Sequence, residues 1–131
     1  MELLNSKAED YIRNTIVANM PKIKVNSGTL RYNFRCQYNA VNDALNAGED
    51  RIAMCFITDG NMPIIHFINV DSEGNYTDNT LGRWSETCCY YFVRYIERDS
   101  FFNIDDIFSA YRKELRAKIP FFVRLFSDYA G

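Results

Sequence analysis

The sequence predicts an α+β fold with helices packed on a small antiparallel β-sheet. Three observations carry this. Apolar residues recur at helical spacing in the first and last thirds, they alternate or run together with a period near two in the middle, and turn residues mark each change. The 131 residues fit a single domain over 1–131, and with 47% apolar side chains they can fill one core.

Taken in order, residues 2–18 place Leu4, Ala8, Tyr11, Ile12 and Ile16 on one helical face. Pro21 and the Ser27-Gly28 pair then mark a loop with a short strand at Lys22 to Val25. Asn33 is an N-cap candidate for the next helix, because its side-chain oxygen can accept a first-turn N–H, and Gly48 is the matching stop. Between them Cys36, Ala40, Val41, Ala44 and Leu45 share a face, with Cys36 near the third helical position. "RIAMCFIT" and "PIIHFINV" predict a hairpin across "DGNMP", and "DSEGN" leads to a further strand in "YTDNT". The sheet expected from these signals has about three or four strands.

The last third reads as helical. Trp84, Cys88, Tyr91, Phe92 and Tyr95 form one stripe, and Ile104, Ile107, Phe108, Tyr111 and Leu115 form another after an Asn103 cap. Pro120 should end that helix, and "FFVRLFSDY" should form a short helix or a packed tail. If "IPFFVRLF" is left uncovered, it predicts a homodimer or partner surface.

Charge excludes some functions. Fifteen basic and seventeen acidic side chains are spread along the chain for a net −2, without the basic cluster that phosphate neutralisation needs, so nucleic acid is not the expected partner. No signal peptide and no apolar window of bilayer length is visible, so no membrane partner is expected and the protein reads as cytoplasmic. The four cysteines are then expected as free thiols.

The residues that can carry chemistry are few. The chain has one histidine, His66, which shares a strand face with Ile64, Ile68 and Val70. A thiol becomes a good nucleophile as its thiolate, which a helix N-terminus and an imidazolium both favour; Cys36 has the first by position and can gain the second from His66. If the third strand pairs back on the second, Asp78 comes alongside His66 and can orient the ring through its second nitrogen. Asn39, one turn after Cys36, can bond the adjoining loop or strand. Cys55, Cys88 and Cys89 read as packing residues. Zinc prefers paired ligands such as Cys-x-x-Cys, which this chain lacks, so no metal is expected.

"HFINVDSEGNYTDNT" and "CQYNAVNDALNAGED" resemble the transglutaminase-like branch of the papain-like superfamily over residues 36 to about 81. The matching positions are a cysteine opening a helix (Cys36), with Ala40 and Leu45 behind it and a glycine leading into the first strand, then His66, Gly74, Tyr76, Asp78 and Thr80. The resemblance implies a papain-like core and acyl transfer through a thioester: Cys36 as nucleophile, His66 as base and acid, Asp78 as orienting carboxylate. Peptidase, deamidase and transglutaminase outcomes stay open, the substrate being a protein or peptide. The oxyanion would rest on the Cys36 backbone N–H, with Gln37 as a candidate second donor. No organic cofactor is implied. The alternative from another class is a non-catalytic interaction module on the same fold, an inhibitor or adaptor of phage or mobile-element type.

Overall fold

The computed structural model describes residues 10–60 and 63–118, which divide between two compact units. The larger, Met20–Phe102, holds the sheet and the cysteine helix; the described residues of the smaller are 10–19 and 103–118.

In the larger unit the strands are β1 (Lys22–Ile23), β2 (Val25–Ser27), β3 (Arg51–Thr58), β4 (Ile64–Val70), β5 (Tyr76–Asp78) and β6 (Cys89–Glu97). They form one sheet in the order β1-β6-β3-β4-β5-β2, antiparallel except for the parallel β2–β5 pair. The two edge strands are consecutive in the chain, separated by Lys24 alone. Since an extended residue spans only about 3.3–3.6 Å, the two edges must approach each other, and the sheet curls. One face of the strands gathers Ala53, Cys55, Ile57, Ile68 and Tyr90 into a buried cluster, with Ile23, Val25, Tyr76, Leu81, Phe92 and Tyr95 packed against it.

Helix α1 (Cys36–Ala47) precedes β3. Its stop is the expected one: Gly48 takes the left-handed conformation at φ 69°, and the N–H groups of Gly48 and Glu49 donate to the carbonyls of Leu45 and Ala44. Its start differs. The residue before the helix is Arg35, with no side-chain cap, so Cys36 is the first helical position and not the third. Asn33 commits its side-chain oxygen to the N–H of Arg35 at 3.1 Å and to Asn39. The buried line of α1 is Asn39, Ala40 and Ala44, whereas Leu45 is 44% exposed, so the packed face is rotated away from the one the apolar residues suggest.

The hairpin β3–β4 and the antiparallel return of β5 form as expected; Ile52 stands opposite Asn69 and Val70 opposite Tyr76. The expected Lys22 to Val25 strand is instead two edge strands. The larger correction concerns Trp84 to Tyr95. Residues Gly82–Thr87 form a 3₁₀ turn and Cys89–Glu97 a strand between β1 and β3, so six strands replace the expected three or four. The helical stripe is a coincidence of aromatic spacing; "CYYFVRYIE" is rich in aromatic and β-branched residues, which suit a half-buried pleated surface.

In the smaller unit, Ile12–Ile16 is a π-helix followed by a 3₁₀ turn at Val17–Asn19, where an α-helix was expected. The β-branched run Ile12, Thr15, Ile16, Val17 crowds an α-helical turn. Leu4 and Ala8 lie outside the described residues. Helix α2 (Ile104–Lys118) buries Ile104, Tyr111 and Leu115, with Asp105 and Asp106 in its first turn and Arg116 and Lys118 in its last, as the dipole favours. Asn103 closes the preceding 3₁₀ segment, Arg98–Asn103. Pro120 and the "IPFFVRLF" surface lie outside the described residues, as does the final short helix or tail.

Candidate active site

The site begins with the pairing of β4 and β5. In an antiparallel ladder the residues on one face repeat every second position, so the register that sets Val70 opposite Tyr76 puts His66 and Asp78 on the same face. Their side chains meet: His66 Nε2 donates to Asp78 Oδ2 at 2.8 Å, with both groups buried. The carboxylate is held at every side. Its Oδ1 accepts the backbone N–H groups of Thr80 and Leu81, each at 2.9 Å, and Oδ2 accepts the Tyr90 hydroxyl at 2.5 Å as well as the ring. Burial alone would raise the Asp78 pKa, but the hydrogen bond and charge of His66, then Tyr90 and the Leu81 N–H, outweigh it and hold the group at about 2.

The imidazole responds in the opposite sense. Burial favours its neutral form, yet the hydrogen bond to Asp78 and a second one to Cys36 push it up to about 9. With Nε2 committed to Asp78, Nδ1 is the ring nitrogen left for Cys36. Cys36 is partly exposed as a residue, and its sulfur lies 3.7 Å from Gln37 Oε1. Cys36, His66 and Asp78 are therefore brought into one line. Gln37 faces the sulfur through its oxygen in this arrangement, the opposite of the N–H that an oxyanion needs.

Helix α1 is fastened at both ends of its first turns. Asn69, which leaves β4 on the face opposite His66, donates to the Ala40 carbonyl at 2.9 Å. Asn39, buried at 8% exposure, donates to Thr80 Oγ1 at 2.9 Å and exchanges bonds with Asn33 at 3.0 and 3.1 Å. Since the Thr80 N–H binds Asp78, Asn39 couples the cysteine helix to the loop that holds the carboxylate. Arg31 adds a two-pronged pair to Asp43 at 2.6 and 3.0 Å and donates to the Asn79 carbonyl at 2.9 Å, tying the approach to the helix to the same loop. Of the other cysteines, Cys55 is fully buried, while Cys88 and Cys89 are partly exposed.

Sequence reasoning missed Tyr90, Thr80 as the relay from Asn39, and Arg31. Tyr90 was hidden by the helical reading of its segment. Arg31 gave no local signal, because its partner Asp43 lies inside α1, 12 residues along the chain.

No family model matches the chain, and no curated protein or solved structure matches it.

Proposed function

We propose that the protein is a small cysteine-dependent acyl-transfer enzyme with a papain-like, transglutaminase-like core, acting on an amide or ester of a protein or peptide. The observation that carries this reading is the hydrogen-bonded line Cys36–His66–Asp78, whose last member is a buried carboxylate with both oxygens occupied. A carboxylate so fixed cannot turn away, and the ring it holds must present its other nitrogen to the sulfur.

With the ring protonated at neutral pH, Cys36 attacks the carbonyl as its thiolate. The C–S bond forms, the C–N or C–O bond to the leaving group breaks, and the imidazolium gives its proton to the departing nitrogen or oxygen. The neutral ring then takes a proton from water or an amine, whose oxygen or nitrogen attacks the thioester and releases Cys36 as thiolate. Water yields hydrolysis or deamidation, and an amine yields transamidation. The Cys36 backbone N–H, at the first helical position, is free of intrahelical bonding and stands ready as one oxyanion donor.

The test uses an activated ester such as p-nitrophenyl acetate, followed by a peptide library in hydroxylamine. Wild type should form a Cys36 acyl adduct visible by mass and release hydroxamates, and Cys36→Ala should do neither. Absence of both adduct and hydroxamate in wild type would end the acyl-transfer reading.

One observation favours the interaction-module reading. Tyr32 and Phe34, just before the cysteine helix, are 81% and 98% exposed, and Phe34 sits in the left-handed region at φ 53°. A module that binds through this loop predicts loss of partner affinity in Phe34→Ala with Cys36 chemistry irrelevant to binding.

A further inference from the structure

Asp78 Oδ2 is shared. It accepts His66 Nε2 at 2.8 Å from β4 and the Tyr90 hydroxyl at 2.5 Å from β6, while Oδ1 is filled by two backbone N–H groups. The rings of His66 and Tyr90 are 6.3 Å apart between centroids and inclined at 54°, so the two donors approach the oxygen from different directions without stacking. Tyr90 is 2% exposed. A buried phenol needs an acceptor, and a backbone carbonyl would have served; here it is directed at the one oxygen that also supports the imidazole.

Charge given to one hydrogen bond is withdrawn from another on the same atom. The phenol therefore weakens the hold of Asp78 on the ring proton, and it pins the carboxylate plane so that the ring cannot follow a rotating partner. Building on the acyl-transfer reading, we propose that Tyr90 is a positioning residue: by sharing Asp78 Oδ2 it limits how tightly His66 keeps the proton that must pass to the leaving group. The groups that face this oxygen and its donors are known. Cys55 from β3 and Cys88, ahead of β6, act on Tyr90, and Cys36 acts on the far side of His66.

Because His66 is the chain's single histidine, its ring can be titrated without assignment ambiguity by NMR. In Tyr90→Phe the His66 midpoint should rise by about 0.5–1 pH unit, a threefold to tenfold gain in proton affinity. A merely structural Tyr90 would lower the melting temperature and leave the His66 midpoint unmoved, which overturns the proposal. Should Tyr90→Phe fail to fold, the wild-type hydroxyl proton serves instead: it should exchange slowly and its chemical shift should follow the His66 titration, and independence of the two overturns the proposal. The two readings fail separately. A Cys36 that alkylates like a free thiol sinks acyl transfer, whereas an unmoved His66 midpoint sinks the role of Tyr90.

Discussion

At the residue scale the chemistry of the site turns on the proton affinities of His66 and Asp78. The ring binds its proton more tightly in the folded protein, at about 9 against 6.5, so its contribution to stability is full below pH 6.5 and is lost as pH rises through 9. The carboxyl binds its proton less tightly, at about 2 against 3.8, so its contribution is present above pH 3.8 and is lost as pH falls through 2. Chemical denaturation against pH should therefore find the pair's stabilisation complete between 3.8 and 6.5, with a decline toward pH 9 that His66→Gln removes. A decline of unchanged size in the variant would assign it to other groups. Asn39→Ala should cost about 1–3 kcal/mol, since it strands the Thr80 hydroxyl and the Asn33 amide, and should also slow Cys36 alkylation by loosening the helix from the Asp78 loop. The pairing of His66 with Asp78 was legible in the sequence because the single histidine and the turn after it left little choice of partner. Their supports were not: Tyr90, Thr80 and Arg31 act across elements whose contact no local pattern encodes.

At the scale of elements, two glycines separate backbone strain from crowding. Gly48 ends α1 at φ 69°, and a methyl group added there would meet open space, so Gly48→Ala should cost only the left-handed penalty, about 1 kcal/mol. Gly82 has φ 53°, and an added Cβ would lie 2.8–2.9 Å from Leu30 Cβ, Cα and N. Gly82→Ala should therefore cost clearly more, about 2–4 kcal/mol, because backbone cannot yield as a side-chain tip does. Equal losses in urea melts would refute this ranking. The glycine stop of α1 and the β3–β4 hairpin were readable from local rules. The strand β6 was not, because the spacing of Trp84, Cys88, Tyr91 and Tyr95 satisfies a helical period while their segment also suits a sheet, and only pairing with β1 and β3 decides between them. The cap at Asn33 failed for a related reason: its amide is drawn to Asn39 and Arg35, and the helix begins later.

At the scale of the whole molecule the mixed α+β character was legible, and the size of the sheet was not, since edge strands of two and three residues carry too little pattern to be seen. The order β1-β6-β3-β4-β5-β2 makes a prediction of its own. Strand β3 is buried along Ile52–Ile57 and paired on both sides, so its amides should exchange slowest, with β1 and β2 exchanging fastest among the strands. Slow exchange at the edges and fast exchange in β3 would contradict this topology. The central claim concerns what this sheet does to one sulfur, and the most direct test is the rate of iodoacetamide alkylation at each cysteine against pH, read by mass spectrometry in wild type and His66→Ala. The account predicts that Cys36 reacts well below the ordinary thiol pKa of about 8.5 and that this reactivity moves upward when the ring is removed. A Cys36 that titrates as a free thiol in both proteins would contradict it.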